Sequence, residues 1–177
     1  ISQLFGDRMM VANATGCSSI YSGSFPASPY CTDKNGRGPA WANSLFEDNA
    51  EFGLGMFTAQ DTLREQNIAK AAKVAEENPD VKPAFDKFME TKDCSGCNKV
   101  ATEELLKAIA NVNSQEAKDV LADKEYLSKK SCWIFGGDGW AYDIGFGGVD
   151  HALASGKDIN ILVFDTEVYS NTGGQSS

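Results

Sequence analysis

The residues best suited to chemistry form a short triplet late in the chain, Gly137-Asp138-Gly139, which follows the apolar run at 132–135. Glycines allow backbone amides to approach a phosphate group closely, and the first turn of a following helix favours negative charge. The Asp138 carboxylate would repel that phosphate unless a divalent cation bridged the two groups. Mg²⁺ typically binds one or two carboxylates together with substrate phosphates. The triplet therefore predicts a metal-bridged diphosphate site.

The pattern around the triplet predicts a βαβ unit. It consists of a buried strand at 132–135, a helix from about residue 142 to residue 154 closed by Gly156, and a second strand at 160–165. The two strands of such a unit are parallel and the crossover is right-handed. Ligands bind these sheets at the carboxyl ends of the strands.

The loop after the second strand, residues 166–171, is therefore expected beside the triplet. Thr166, 28 residues after Asp138, is the predicted second ligand of the cation. Two other phosphate-binding motifs are excluded. A G-x-G-x-x-G fingerprint needs a glycine at the position of Tyr142, and a P-loop needs a lysine directly after its last glycine. The only lysine after Gly139 is Lys157, which is too far along the chain. On the triplet alone, a plain glycine turn with Asp138 as a helix N-cap remains an alternative.

Charges and glycines divide the 177 residues into three parts. Residues 61–130 hold 26 of the 41 charged residues but a single glycine, which is typical of solvated helix faces. The glycine-rich flanks, 1–60 and 131–177, are expected to carry the ligand loops. The formal net charge of −9 argues against binding to nucleic acid or to an anionic membrane surface, and no apolar run is long enough to span a membrane.

The first flank should begin with a buried strand at 9–12, followed by a long loop through three prolines, Pro26, Pro29 and Pro39. Ser44-Leu45-Phe46-Glu47 fits a capping box, which predicts a helix from Ser44 to Glu77. Its buried side chains are expected to be Leu45, Phe46, Phe52, Met56 and Phe57. Two or three further helices should follow in the middle part, with apolar stripes at Val81, Phe85 and Phe88 and at Leu105, Leu106 and Ile109.

Both flanks resemble the pyruvate:ferredoxin (flavodoxin) oxidoreductases. The thiamine diphosphate motif of that family is similar to Gly137-Asp138-Gly139 followed by Asp165-Thr166-Glu167-Val168-Tyr169-Ser170-Asn171-Thr172-Gly173-Gly174-Gln175. The first flank matches the same family in segments 3–9, 12–20 and 44–53, so the resemblance covers well over half of the chain. It implies an α/β fold in which a parallel sheet with flanking helices binds thiamine diphosphate. Residues 1–177 would be part of that domain, and Ile1 in place of a start Met predicts a piece of a larger protein.

The resemblance also implies roles for individual residues. Asp138 and Thr166 would bind Mg²⁺ through side-chain oxygens, and Val168 would bind it through its backbone carbonyl. The residues expected to contact the diphosphate or the thiazolium region are Gly137, Gly139 and Trp140. Those expected to wrap the cofactor are Thr166, Glu167, Val168, Tyr169, Ser170 and Asn171. Of these, Asn171 would be the catalytic residue, near the bound 2-oxo acid.

The five cysteines receive different interpretations. On the residues alone, Cys17 in its loop of small residues fits a buried, inert thiol better than a ligand. In the family that the chain resembles, its position is one of four ligands of a [4Fe–4S] cluster, and the other three ligands would lie outside these 177 residues. Cys94-Ser95-Gly96-Cys97 has the spacing of a metal ligand pair, but no second pair follows, so two surface thiols on a helix connection are favoured. Cys31 and Cys132 are expected to be a loop and a core cysteine. The only histidine, His151, is expected to be structural and partly exposed.

The activity that the resemblance implies is oxidative decarboxylation of pyruvate with coenzyme A, which yields acetyl-CoA, CO₂ and reduced ferredoxin or flavodoxin. A homodimer and a reducing intracellular compartment, either cytoplasmic or hydrogenosomal, are expected. The isolated chain should be inactive, because thiamine enzymes take the glutamate that activates the aminopyrimidine from a partner domain. Two alternatives stay open: a related enzyme for another 2-oxo acid, such as 2-oxoglutarate or an aromatic one, and a non-catalytic module that binds magnesium and a diphosphate.

Overall fold

A computed structural model describes residues 1–16, 18–19, 28, 30–45, 50–169 and 173–176. The chain folds into two compact units, of which one comprises Ile1–Thr58 and Ser131–Ser177 and the other comprises Ala59–Lys130. In chain order, the described helices and strands are α1 (Ser2–Phe5), β1 (Met9–Asn13), β2 (Ala40–Asn43), α2 (Ala50–Glu77), α3 (Lys82–Glu90), α4 (Asn98–Ile109), α5 (Gln115–Ala122), β3 (Ser131–Gly137), α6 (Asp138–Tyr142), α7 (Phe146–Ala154), β4 (Asn160–Phe164), β5 (Val168–Tyr169) and β6 (Gln175–Ser176).

The first unit is built on a parallel sheet with the strand order β2-β1-β3-β4. β3 lies between β1 and β4, with Phe135 opposite Asn13 on one side and Gly137 opposite Phe164 on the other. Most residues of β1 and β3 are buried, as expected for central strands that helices cover on both faces. The predicted α/β class, with a parallel sheet and flanking helices, is confirmed.

Successive residues of the strands point to opposite faces of the sheet and enter two apolar clusters. One cluster contains Ala14, Ala50, Ile134, Trp140, Ala141 and Val149. The other contains Met9, Val11 and Phe135, with aromatic and aliphatic side chains packed against it, namely Phe5, Trp41, Trp133, Leu162 and Phe164. The start of α2 comes so close to the sheet at Gly53 that an added Cβ would lie 2.5 Å from Cγ1 of Ile134.

The predicted strands at 9–12, 132–135 and 160–165 are confirmed as β1, β3 and β4. The helix predicted for 142–154 is instead two helices, α6 and α7, because the chain turns back at Gly145. The Gly145 N–H donates to the Gly139 carbonyl (N···O 3.2 Å), and a Cβ at this position would overlap the backbone carbonyl of Trp140. The predicted end of the helix is confirmed, since Gly156 has φ +64°.

Strand β2 lies in a segment for which the sequence predicts only a loop. Ala40-Trp41-Ala42-Asn43 follows Pro39, has no β-branched residue and contains a single strand-favouring residue, Trp41, so its local sequence indicates a strand only weakly. It becomes a strand by pairing with β1, where Trp41 lies opposite Val11. This is a tertiary effect that a local pattern does not contain.

Ser44 contacts the end of β1, and its predicted role as a helix cap stays a prediction because residues 46–49 lie outside the described residues. Its backbone N–H donates to the Asn13 carbonyl (2.8 Å), and its hydroxyl oxygen accepts from the Thr15 N–H (3.2 Å), so Ser44 continues the edge of the sheet. Leu45, which should have been buried, is 86% exposed. Phe46 lies outside the described residues.

The remainder of that prediction is largely confirmed. Helix α2 is described from Ala50 and ends at Glu77, directly before Asn78-Pro79. Of the side chains expected in its apolar face, Phe57 is buried, whereas Phe52 and Met56 are half-buried.

The second unit packs α3, α4 and α5 with the rest of α2 around one core. The predicted apolar stripes are confirmed: the buried residues include Val81, Phe85, Phe88, Leu105 and Ile109, and Leu106 packs against them half-buried. The hydroxyl of Ser114 caps α5 by accepting the Ala117 N–H (3.1 Å).

One charged side chain of the second unit, Arg64 on α2, lies inside it. Arg64 is 4% exposed; its Nε donates to the Leu127 carbonyl (2.9 Å) and its Nη2 to the Lys92 carbonyl (2.8 Å). The guanidinium thus ties α2 to two connecting segments. Burial lowers the pKa of Arg64, against the neighbouring carboxylates of Glu65, Asp93 and Asp61, which raise it.

Replacing Arg64 with lysine is expected to lower the local free energy of unfolding of this unit by about 2 kcal/mol, because an ammonium group cannot reach both carbonyls at once. Native-state hydrogen exchange of the amides in α2, α4 and α5 would measure the change. As a control, Lys70→Met removes an ion pair with Asp123 that is partly exposed on both sides and should cost less than about 1 kcal/mol. Equal effects of the two substitutions would contradict the role given to Arg64.

Cys94 and Cys97 form a disulfide in the turn between α3 and α4. Their location on a helix connection at the surface is as predicted, but the expectation of two free thiols is wrong. The C-x-x-C turn holds the two Cα atoms 5.3 Å apart, within the range that a disulfide needs. As expected, Cys31 is exposed in a loop and Cys132 is buried in β3.

None of the helices in the described parts of the chain is both long enough and apolar enough to cross a membrane. The longest, α2, has 28 residues, but charged side chains occur along it from Glu51 to Glu77.

Candidate functional site

The carboxyl ends of β1, β3 and β4 lie side by side at one edge of the sheet, as the βαβ pattern predicts. The Ala14 N–H after β1 donates to the Phe135 carbonyl in β3 (2.7 Å). On the other side of β3, the Thr166 N–H after β4 donates to both carboxylate oxygens of Asp138 (3.0 and 3.1 Å). The glycine triplet and the loop after β4 therefore meet at Asp138.

Asp138 is 1% exposed. All the described donors to its carboxylate belong to the loop after β4. Oδ1 accepts from the backbone N–H groups of Thr166 (3.0 Å) and Glu167 (3.0 Å). Oδ2 accepts from the hydroxyl of Thr166 (2.7 Å). The two loops are thus joined through a single buried carboxylate.

Three oxygens predicted to bind the cation lie next to one another. The Thr166 hydroxyl oxygen is 2.7 Å from Oδ2 of Asp138 and 3.1 Å from the Val168 carbonyl oxygen. Adjacent ligands of an octahedral Mg²⁺ ion, each about 2.05 Å from the metal, are about 2.9 Å apart. The two distances from the Thr166 hydroxyl oxygen are close to this value, and all three are the hard oxygen donors that Mg²⁺ prefers.

Glu167 gives the loop its shape. It has φ +65°, in the left-handed region that residues other than glycine seldom adopt. This turn lets the Glu167 N–H point at Asp138 while the next carbonyl, that of Val168, points back to the Thr166 hydroxyl. An uncommon backbone conformation between two predicted ligands is the kind of local strain found at functional sites.

The hydrogen bonds keep Asp138 ionised. Burial raises the pKa of its carboxyl group. Hydrogen bonds from the hydroxyl and N–H of Thr166 and from the N–H of Glu167, together with the side chain of Asp165, outweigh burial, and the pKa is lower than its usual value. A carboxylate with this pKa carries its negative charge at neutral pH, as a cation ligand must.

Further acidic and phenolic groups surround the site. The Tyr142 hydroxyl donates to Oδ2 of Asp165 (3.0 Å), and this hydrogen bond raises the pKa of Tyr142. The Tyr169 hydroxyl donates to Asp143. Within the described ranges, no three side chains of His, Cys, Asp or Glu converge on one point, so a cation at this edge depends on hydroxyl and carbonyl oxygens as well.

The glycine triplet is buried, and its neighbour Trp140 is a core residue. Trp140 is 0% exposed and packs on the strand at Gly136, where an added Cβ would overlap the indole ring. Its Nε1 is buried and has no hydrogen-bond partner among the described residues. Whether Gly137, Gly139 and Trp140 contact a diphosphate stays a prediction; the Trp140 side chain itself faces the cluster with Ala14, Ala50 and Val149.

Beyond Val168 the chain forms a short hairpin, in which Tyr169 of β5 pairs with Gln175 of β6. Gly173 and Gly174 have φ +115° and +80°, and the Gly174 N–H donates to the Tyr169 carbonyl (2.9 Å). Ser170 and Asn171, predicted to contact the cofactor and the 2-oxo acid, lie outside the described residues. The same holds for Cys17, the predicted cluster ligand.

A buried amide network at the ends of β1 and β2 has no counterpart in the sequence-based prediction. Asn13 is fully buried and its Nδ2 donates to the Asn43 side chain (2.9 Å), whose Nδ2 donates to the Thr15 hydroxyl (2.7 Å). The Thr15 hydroxyl in turn donates to the Ser44 carbonyl. The only signal in the sequence is an asparagine that ends each of two short apolar segments, which also fits an ordinary turn.

Comparison with known proteins gives one consistent result. No protein-family model matches the chain. The chain is 53% identical over 188 aligned residues to a pyruvate-flavodoxin oxidoreductase from Enterobacter agglomerans and 54% identical over 187 residues to a pyruvate:ferredoxin oxidoreductase from Moorella thermoacetica. It is 50% identical over 178 residues to a probable pyruvate-flavodoxin oxidoreductase from Escherichia coli K12. Each alignment covers 100% of this chain but only 15% or 16% of the relative.

Proposed function

Because the chain corresponds over its full length to a segment of the pyruvate:ferredoxin (flavodoxin) oxidoreductases, we propose that it carries the magnesium and diphosphate site of such an enzyme. The chain spans about a sixth of the length of the curated relatives that it matches. The proposed cofactor is thiamine diphosphate, and the proposed reaction of the whole protein is oxidative decarboxylation of pyruvate to acetyl-CoA and CO₂.

One observation supports the site above all others, namely the convergence of three oxygen ligands. Oγ1 of Thr166 lies 2.7 Å from Oδ2 of Asp138 and 3.1 Å from the carbonyl oxygen of Val168, and all three are oxygen donors of the kind that Mg²⁺ prefers. An anionic carboxylate so close to a diphosphate is tolerated only when a cation separates the two charges. The geometry therefore favours a metal-bridged diphosphate over a plain glycine turn.

The residues of this chain would bind and orient the cofactor. Asp138, Thr166 and Val168 would hold the cation that anchors the diphosphate, and the backbone N–H groups at Gly137 and Gly139 would contact the diphosphate. When bound, thiamine diphosphate supplies the carbon nucleophile and the electron sink that decarboxylation of a 2-oxo acid needs. The loop that begins at Glu167 would cover the cofactor and bring Asn171 to the 2-oxo acid.

Electrons would leave through a [4Fe–4S] cluster, with Cys17 as one of its thiolate ligands. The remaining three ligands, the binding site for coenzyme A and the docking surface for ferredoxin or flavodoxin would belong to other parts of the protein. We also propose a homodimer, as the resemblance implies.

A steady-state assay of the full-length protein tests this function. With coenzyme A, magnesium and ferredoxin or flavodoxin, pyruvate is expected to give the highest kcat/KM among pyruvate, 2-oxoglutarate and an aromatic 2-oxo acid. A higher kcat/KM for either of the other acids would contradict pyruvate as the substrate but would leave the proposed cofactor site standing. Cofactor binding with no turnover of any of the three would instead indicate a non-catalytic module.

The 177-residue chain by itself is expected to show no turnover of pyruvate, because the activating glutamate and three cluster ligands are assigned to other parts of the protein. The measurement is reduction of an electron acceptor by the purified chain supplied with pyruvate, coenzyme A, thiamine diphosphate and Mg²⁺. The full-length protein in the same assay is the control. Turnover by the chain above the rate without enzyme would refute this expectation.

A further inference from the structure

We propose that Cys94 and Cys97 form a redox-active site that exchanges its disulfide with an external thiol–disulfide couple. The pair lies in the helical unit Ala59–Lys130 and contains no predicted ligand of magnesium, of the diphosphate or of the iron–sulfur cluster. The proposal therefore stands independently of the proposed function.

The bond is placed where it adds little to stability. It closes a loop between residues only three apart, and a disulfide that closes so small a loop removes little entropy from the unfolded chain. The turn has other supports, since the Cys94 N–H donates to the Thr91 carbonyl (3.0 Å) and the Asn98 N–H donates to the Cys94 carbonyl (2.9 Å). These hydrogen bonds are backbone contacts that need no disulfide. Stabilisation of the fold therefore does not account for this disulfide, whereas thiol–disulfide exchange does.

The next residue, Asn98, holds the turn in place in either redox state. Asn98 is fully buried; its Oδ1 accepts from the Lys129 N–H (2.9 Å) and its Nδ2 donates to the Thr91 hydroxyl (3.4 Å). Its own carbonyl accepts from the Thr102 hydroxyl (2.7 Å). Because the anchor is a buried asparagine, the two sulfurs can part and rejoin without loss of the surrounding fold.

The two sulfurs are not equivalent. Cys97 is exposed, whereas Cys94 is half-buried, so an incoming thiolate reaches the Cys97 sulfur. The Cys97 backbone N–H donates to the Cys94 sulfur (3.0 Å). A hydrogen bond from a backbone amide stabilises a thiolate and so makes Cys94 the better leaving group. Exposure and hydrogen bonding therefore agree that the Cys97 sulfur is attacked and that Cys94 is the leaving group.

The exchange with a dithiol is balanced as follows. A thiolate of the dithiol forms a bond to the Cys97 sulfur, the Cys94–Cys97 bond breaks, and its electron pair remains on Cys94 as a thiolate. The second thiol of the partner, as its thiolate, then attacks the partner's sulfur in the mixed disulfide and releases Cys97 as a thiolate. The two protons of the dithiol pass through solvent to Cys94 and Cys97. The cysteine pair gains two electrons, and the partner leaves as a disulfide; the reverse sequence reoxidises the pair.

Redox titration of the longest natural polypeptide that contains these residues tests the proposal. The protein is equilibrated under anaerobic conditions in two series of buffers, one of reduced and oxidised glutathione and one of reduced and oxidised dithiothreitol, and free thiols are then alkylated and mapped by peptide mass spectrometry. We expect Cys94 and Cys97 to change together, reversibly, in a two-electron transition with the same midpoint potential in both series. The exposed single cysteine Cys31 is the internal control and should form no intramolecular disulfide.

Two outcomes would overturn the proposal: a pair that stays in one state across both series, or one that reacts without reversal. Single substitutions then test the assigned roles. With oxidised glutathione, Cys94→Ser should accumulate a mixed disulfide on Cys97, and Cys97→Ser should form its adduct on Cys94 at least tenfold more slowly, because that sulfur is less accessible. Equal rates would contradict the assignment. If either variant fails to fold, judged by hydrogen exchange in α4, the titration of the unsubstituted protein still decides the proposal.

Discussion

Replacing Asp138 with alanine is expected to weaken the magnesium-dependent binding of thiamine diphosphate to the full-length protein by at least about 100-fold, equivalent to about 2.8 kcal/mol. Asp138 supplies the only charged oxygen among the three that converge, and it is the acceptor that fixes the loop carrying the other two. If these oxygens bind the cation as proposed, the substitution removes one ligand and the hydrogen bonds that position the other two. Calorimetric titration of the cofactor at several magnesium concentrations would measure the change.

Two further variants separate the loss of a ligand from the loss of local structure. Asp150→Ala removes an exposed carboxylate from α7 and should leave the affinity unchanged. Asp138→Asn keeps an oxygen that can accept the N–H groups of Thr166 and Glu167 but removes the charge, so it should fold normally and still bind the cofactor weakly. An Asp138→Ala protein whose affinity still depends on magnesium as in the unsubstituted protein would refute the proposed site.

Replacing Gly136 with alanine is expected to reduce the local stability of the first unit by about 3 kcal/mol, near the upper end for an overpacked core. A methyl group at this position would overlap the indole ring of Trp140, which is fully buried and cannot move aside without displacing the chain next to Asp138. Hydrogen exchange of the amides in β3 and α6 would measure the loss of stability. A parallel loss of magnesium-dependent cofactor affinity is expected, because Trp140 lies two residues after the carboxylate.

Gly55 offers a matched control for this substitution. It lies in α2, and an added Cβ would meet no atom within 4 Å. Gly55→Ala should therefore stabilise the protein by up to about 1 kcal/mol, since alanine favours a helix more than glycine does. A stable Gly136→Ala protein with unchanged hydrogen exchange in β3 would contradict the prediction. It would show that the side chains around Trp140 rearrange and remove the expected overlap.

The sequence was most informative where pattern and topology act together. A strand, a glycine triplet and a second strand sufficed to predict that Asp138 and Thr166 lie close together, because parallel neighbours end at the same edge of a sheet. The contact is found at 2.7 Å. The buried stripe from Val81 to Ile109 was equally predictable, since helical periodicity depends only on local spacing.

Other features depended on partners distant in the chain. Strand β2 exists because β1 pairs with it, with Trp41 opposite Val11. Arg64 was expected on a solvated helix face, whereas the carbonyls of Leu127 and Lys92 draw it into the interior. In each case a tertiary contact overrode a local preference, and a single sequence does not contain that contact.

The hydrogen bonds to Asp138 have a consequence for ion selectivity. The N–H groups of Thr166 and Glu167 both donate to Oδ1, whereas Oδ2 accepts from the N–H and the hydroxyl of Thr166. A cation at the proposed site could replace the hydroxyl hydrogen bond at Oδ2 while the two N–H hydrogen bonds at Oδ1 remain. Ca²⁺ takes more ligands at longer distances and often grips a carboxylate by both oxygens, whereas a small octahedral ion is satisfied by one. At the proposed site, these amides would therefore favour coordination through one carboxylate oxygen, and so a small ion such as Mg²⁺ over Ca²⁺.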